Sequence, residues 1–176
     1  MKRNHKAQSE ERSEFIERVL EINRVARVVK GGKRIRFRAL VVIGDEKGRI
    51  SYGLGKSADV SGAIAKAVLA AKKDLINIFI KGTTIPYPVR THYKSAAVLL
   101  KPAPVGTGVV AGSSMRVVLE LAGIKDVVGK ALGSKNKLSN TMATIKALSM
   151  LHDPKELIRR RGTIKASRGA QSKATK

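Results

Sequence analysis

Residues 34–43 read R-I-R-F-R-A-L-V-V-I, so Arg34, Arg36 and Arg38 alternate with Ile35, Phe37, Ala39, Val41 and Ile43. In an extended chain successive side chains point to opposite faces, and this spacing predicts a half-buried strand with a cationic outer face. Guanidinium groups at every second position repel one another unless a polyanion neutralises them. The stretch therefore sets two expectations: a sheet whose apolar face must be covered, and a phosphate-bearing partner for the other face.

The composition extends both expectations to the whole chain. Lys and Arg number 36 against 13 Asp and Glu, a net charge of +23 over 176 residues. That excess is too large for ordinary surface solvation, which mixes both signs. A hydrophobic content of 43% argues for a packed core rather than disorder. The absence of cysteine excludes disulfides, thiolate metal sites and cysteine nucleophiles. His5, His92 and His152 are too scattered in sequence to suggest a metal cluster, so neither a metal nor a cofactor is expected. No stretch approaches the roughly 20 apolar residues that cross a bilayer. Residues 1–14 have no apolar signal-peptide core, and Glu10, Glu11 and Glu14 are unlike a mitochondrial presequence. The expectation is a soluble, cytoplasmic protein with no membrane partner. With three Phe, three Tyr and no Trp, there are few platforms for stacking splayed bases. Recognition should therefore rest on shape and phosphate, as in folded RNA or duplex.

Along the chain, residues 1–12 and 152–176 are polar and charged without sustained apolar periodicity, and read as tails. The second tail carries Arg159, Arg160 and Arg161 in succession, an arm expected to order on a polyanion. The remainder divides near K-G-T-T at 81–84 into an α+β domain over 13–81 and a second over 82–151. The first reads as a strand from about residue 17, a cationic hairpin at Lys30-Gly31-Gly32-Lys33, the basic strand, and a third strand with Ile50, Tyr52 and Leu54 inward. A helix over 59–79 follows, from the spacing of Val60, Ile64, Val68, Ala71 and Leu75, with Asp59 or Ser57 as its cap. The second reads as strands at 85–90 and 95–101, a helix at 114–122 stopped by Gly123, a strand at 124–131 and a helix at 139–151. The order β-β-α-β-α places helices on one side of a sheet.

Two glycine-bearing motifs invite a nucleotide-binding reading. G-L-G-K-S at 53–57 lacks the glycine that a Walker loop needs at position 50, which is Ile. It is left as either a backbone phosphate site at a helix N-terminus, assisted by Lys56, or a tight structural turn. P-A-P-V-G-T-G-V-V-A-G-S-S at 102–114 loosely resembles the phosphate loop of small-molecule kinases of the galactokinase and mevalonate-kinase type. There the serines follow the glycines directly, whereas here three apolar residues and Gly112 intervene, and acids to hold magnesium are few. An enzyme with a small-molecule substrate is not expected.

Four motifs in order resemble small-subunit ribosomal protein five: R-V-A-R-V-V-K-G-G-K-R at 24–34, G-L-G-K at 53–56, K-P-A-P-V-G-T-G-V-V-A-G-S-S-M-R at 101–116 and G-S-K-N at 133–136. The likeness spans residues 15–151. Ser113 and Ser114 stand where glycine and alanine are usual, Lys137 where proline is, and Met142 where an arginine is. The resemblance implies a first domain like a double-stranded-RNA-binding fold, with three strands backed by a helix, and a second related to those kinases by fold only. It further implies a structural component of the small ribosomal subunit that binds ribosomal RNA near the body, neck and decoding region. Small-subunit proteins four and eight would be neighbours. The family also helps form the path by which messenger RNA enters, and influences decoding accuracy and spectinomycin resistance.

Carried over by motif, the 30–34 hairpin corresponds to the family's loop that inserts into RNA. Arg24, Arg27, Lys30, Lys33, Arg34, Arg36 and Arg38 are then expected on phosphates, with Gly31 and Gly32 permitting close backbone approach. Gly106, Gly108 and Arg116 correspond to the face near protein four, a role compatible with plain turn geometry at the glycines. The charge argument alone leaves open a free double-stranded-nucleic-acid-binding or architectural protein, and the family leaves open an organellar ribosome.

Overall fold

The basic stretch forms the central strand of the first sheet. In the computed structural model, which describes residues 15–156, 158 and 159, β2 (Gly32–Gly44) pairs antiparallel with β1 (Ile16–Val29) on one side and β3 (Arg49–Ser57) on the other. The chain reverses between β1 and β2 over Lys30 and Gly31, and Gly31 takes a φ of +91° that suits glycine alone. A two-residue strand, β4 (Ile76–Asn77), adds to the free edge of β3, so the sheet has four strands in the order β1-β2-β3-β4 rather than the three expected.

Helix α1 (Val60–Ala71) covers one face of this sheet through Ala63, Ala67 and Ala71, all fully buried against Ala39, Val41 and Ile43. It ends at Ala71, short of the expected residue 79. The apolar period continues past that point, but Ile76 goes to β4, and Ile76, Ile78 and Ile80 pack on the core cluster that joins Val42 and Ile50 to the second domain. Short apolar runs do not distinguish helix from strand. Asp59 occupies the N-cap position without a side-chain hydrogen bond. The helix lies unusually close to β3. A Cβ on Gly53 would sit 1.9 Å from the carbonyl oxygen of Ala67, and one on Gly55 would sit 2.0 Å from that of Ala63. The G-L-G-K motif is therefore neither a turn nor a phosphate loop: it is strand, and its glycines are the surface on which an alanine-faced helix rests. Ile50, Tyr52 and Leu54, expected inward under the helix, share instead the face away from α1, where Ile50 and Tyr52 are covered and Leu54 is 44% exposed.

The second domain carries β5 (Val89–Tyr93), β6 (Ala96–Pro102), β7 (Val109–Val110) and β8 (Val127–Ala131) in the order β5-β6-β8-β7, with β7 and β8 parallel and the other neighbours antiparallel. Helices α2 (Ser113–Leu121) and α3 (Lys137–Ser149) supply the core side with Met115, Val118, Leu119, Ala143 and Leu148, against Ala96, Val98 and Leu100. The first strand begins later than the sequence suggests. Pro86 and Pro88 lack the N–H a ladder needs, so Ile85 is a buried core residue outside any strand. The Asn136 side chain caps α3, its Oδ1 accepting from Leu138 N–H at 3.0 Å. Residues 154–156 are helical where a tail was expected from 152. The expected tail over 1–12, together with Arg160 and Arg161, lies outside the described residues.

The two domains share one core. Val42, Ile50 and Tyr52, on the β2 and β3 face away from α1, pack with α2 and its neighbours. Gly123 ends α2 at φ +88°, with its N–H on Glu120 O and Ile124 N–H on Leu119 O, the paired bonds of a left-handed helix stop. The last carbonyls of α2 then accept from the β2–β3 turn of the first domain: Glu46 N–H to Leu121 O at 3.0 Å and Gly48 N–H to Ala122 O at 3.1 Å. These acceptors have no partner within the helix, so the seam satisfies them. Gly44 and Gly123 allow the approach, since a Cβ on either would lie about 2 Å from backbone oxygen across the seam. Asp45 locks the turn, accepting from Lys47 N–H at 2.8 Å, Arg49 N–H at 2.9 Å and Arg49 Nε at 2.6 Å.

Replacing Gly55 with Ala should lower stability by about 3 kcal/mol or more, because the new methyl meets helix backbone that cannot yield without displacing α1. Thermal unfolding should then shift down by roughly 6–12 °C for a chain of this size. An unchanged melting temperature would show that α1 does not rest on β3 in this way.

Candidate nucleic-acid interface

Residues paired across an antiparallel ladder project to the same face, so the register sorts the cations. Arg34 stands opposite Arg27, Arg36 opposite Val25, and Arg38 between Asn23 on β1 and Lys56 on β3. Arg27, Arg34, Arg36, Arg38 and Lys56 thus share the face away from α1. Arg27, Val29, Arg34, Arg36 and Lys56 line a pocket of about 170 Å³ on it. Below Arg38 the same face turns apolar, with Leu40 buried and Val42 in the shared core. The cationic outer face expected of the strand therefore occupies only its upper half.

That upper half is also the part left bare by the rest of the sheet. The last three-stranded row is Arg24, Phe37 and Ser57, and beyond it β1 and β2 continue as a two-stranded ribbon to Gly32. Five further residues at ~3.4 Å each make a projection of ~17 Å. Ile35, expected to face the core, is 41% exposed because the ribbon has outrun α1. Arg24 and Lys33 project from the ribbon's other face, opposite Phe37 and Val28 respectively, and Lys30 sits exposed at the tip. A Cβ at Gly31 or Gly32 would meet nothing within 4 Å, so the tip backbone is open on that side. The ribbon carries cations on both faces and at its end.

Among the described residues these charges have no ion-pair partner. Ion pairs join Arg18 to Glu120, Arg49 to Asp45 and Lys72 to Glu17, and none of these engages Arg24, Arg27, Arg34, Arg36, Arg38 or Lys56. Two like charges ~7 Å apart in water repel by roughly 0.6 kcal/mol, and cross-strand neighbours such as Arg27 with Arg34 repeat that cost. Lys56 belongs to this face as a strand residue. It does not flank the N-terminus of α1, as expected, because β3 runs on to Ser57 and the helix begins at Val60 on the opposite side. Arg159 is an exposed helical residue at the end of the described chain.

Gly106, Gly108 and Arg116 lie in the second domain. Gly106 and Gly108 have φ of +92° and +74°, and their N–H groups donate to Asp126 Oδ1 at 2.9 and 3.0 Å. The loop is wound around one buried carboxylate. Arg116 is exposed in the first turns of α2, with Ser113 exposed beside it and Ser114 buried. Lys137 is the first residue of α3 and Met142 is half-buried within it. Sequence reasoning missed Asp126. Its one signal is an acid directly before a strand, on a chain with few acids. The N–H of Gly108, the Thr83 hydroxyl and the N–H groups of Gly106 and Thr107 hold its carboxyl below the usual carboxylate range, against the opposing effect of burial.

A depressed folded-state pKa contributes stability that is present above the unfolded value, about 4. That stability is lost as pH falls through the lower folded value. Asp126→Asn should accordingly lower the melting temperature at pH 7 and flatten its fall below pH ~4. Superimposable pH profiles for variant and wild type would remove the carboxylate from its role in the loop.

No helix among the described residues is long and apolar enough to cross a membrane. Two family models match the chain, the ribosomal protein S5 N-terminal domain over residues 15–79 and the ribosomal protein S5 C-terminal domain over residues 91–161. The chain is also similar to the small ribosomal subunit protein uS5 of Protochlamydia amoebophila (strain UWE25), with 48% identity over 166 residues covering 92% of this chain and 99% of that protein. The chain belongs to the ribosomal protein S5 family and is a structural, non-enzymatic component of the small ribosomal subunit.

Proposed function

We propose that the protein holds ribosomal RNA in the small subunit by neutralising phosphates along the β1–β2 ribbon, with Arg27, Arg34, Arg36, Arg38 and Lys56 on one face, Arg24 and Lys33 on the other, and Lys30, Gly31 and Gly32 at the tip. The observation that carries this reading is the register, which stacks five cations on one face with no acid paired to any of them among the described residues. Side chains cannot read the narrow major groove of A-form RNA, so a ribbon charged on both faces fits between RNA segments and binds their backbones. Arg159, Arg160 and Arg161 would add phosphate contacts from the C-terminal arm.

Family membership supports the finer placement. In this reading the ribbon lies near the body, neck and decoding region, and the protein borders the path of incoming messenger RNA and affects accuracy. Gly106, Gly108 and Arg116 face small-subunit protein four, protein eight is a second neighbour, and the assembly is a bacterial-type cytoplasmic ribosome. Asp126 would then serve that interface indirectly, by fixing the loop that carries the glycines.

Binding of small-subunit ribosomal RNA should weaken roughly 10³- to 10⁵-fold between 50 and 200 mM salt, as expected for six to ten phosphate contacts. The combined change Arg34→Ser, Arg36→Ser and Arg38→Ser should reduce the slope of log K against log salt by about two to three while circular dichroism stays native. A flat titration of the wild type would contradict phosphate binding. Loss of fold with undiminished affinity would show that these arginines serve the core.

A further inference from the structure

The second sheet also has an uncovered face. Its Thr91, Val98 and Leu100 side lies under α2 and α3, with the Thr91 hydroxyl donating to Ala143 O at 3.0 Å. The register fixes what stands on the other side. Arg90 is opposite Leu99, which is opposite Lys130, in one row; Lys101 is opposite Val128, which is beside Val110, in the next. Arg90, Lys101, Lys130, Val110 and Val128 are exposed. Strands β5, β6, β7 and β8 contain no Asp or Glu. Lys94 and Lys135 extend the positive charge at one end, where Ser134 N–H bonds Ser95 O at 3.1 Å and joins the two loops that bear them.

We infer that this open face is a second RNA-binding surface, distinct from the ribbon, on which Arg90, Lys101 and Lys130 neutralise phosphates. The inference rests on the reading of the protein as a ribosomal-RNA binder. Charge selects the occupant: three exposed cations in two adjacent rows and no acid in the whole sheet match a polyanion. The apolar part, Val110 beside Val128, is too interrupted by cations to form the continuous patch a protein partner would bury. An open sheet face suits the wide, shallow minor groove of A-form RNA, where sugars and phosphates present themselves together. Because the seam between the domains is hydrogen-bonded and shares one core, ribbon and open face are held at a fixed separation. The protein thereby sets the distance between two RNA segments.

The test uses the full chain with small-subunit ribosomal RNA, measuring salt-dependent affinity and hydroxyl-radical footprints. The variant Arg90→Ser, Lys101→Ser, Lys130→Ser should lose two to three units of salt slope, since each phosphate contact contributes roughly 0.9. It should also lose protection over nucleotides different from those exposed by the Arg34, Arg36 and Arg38 variant. The charge-keeping variant Arg90→Lys, Lys101→Arg, Lys130→Arg should restore both. If the serine variant does not fold, each single substitution should still lower the slope by about 0.7 to 0.9. Wild-type slope and footprint in the open-face variants, alongside the expected losses in the ribbon variant, would overturn this inference and leave the proposed function standing. Normal RNA binding with failed incorporation into subunits would overturn it too, by assigning the face to a protein. Salt-independent binding by the wild type would instead overturn the proposed function itself.

Discussion

One strand has to be core at one end and surface at the other, and the rest of the molecule follows from how it does so. Between Ala39 and Ile43, β2 is buried on both faces, by α1 on one side and by the second domain on the other. Between Gly32 and Arg36 it is buried on neither. The buried end anchors the ribbon; the free end gathers cations that repel one another. Such repulsion, with no acid paired to these cations among the described residues, is relieved by whatever polyanion binds there, and this links the fold to the function through ordinary electrostatics.

The anchor combines large buried side chains, Ile43, Ile50, Val41 and Val42, with close approach of backbone to backbone. Gly53 and Gly55 let α1 settle on β3 through alanines, and Gly44 and Gly123 let the end of α2 meet the β2–β3 turn. Both arrangements fix orientation, because a helix resting on backbone has little freedom to shift or rotate. A protein that positions RNA gains from such rigidity, since its bound phosphates can be no better placed than the frame beneath them.

The parts of the fold legible in sequence are those with local causes. Alternation at 34–43 and the glycine pair at 31–32 announce a basic strand and its hairpin, and Gly123 announces the end of α2. What stayed hidden depends on neighbours distant in sequence. G-L-G-K at 53–56 has the look of a loop, and only the carbonyls of Ala63 and Ala67 reveal why glycine stands there. The period of α1 runs into Leu75, yet the residues after it serve a strand edge and the seam. Ile35 and Leu54 fit inward patterns but lie where no element covers them. Of the candidate site, the cations were legible by type and position. Their division between faces needed the register, and the role of Asp126 under the 106–108 loop needed the tertiary structure.

Cross-linking within purified small subunits, mapped to both residue and nucleotide, tests the central claim most directly. The account predicts that residues 24–38 cross-link to ribosomal RNA from both faces of the ribbon, with Arg24 and Lys33 reaching nucleotides different from those reached by Arg34 and Arg36. Cross-links from this ribbon to protein alone, or none to RNA, would contradict it.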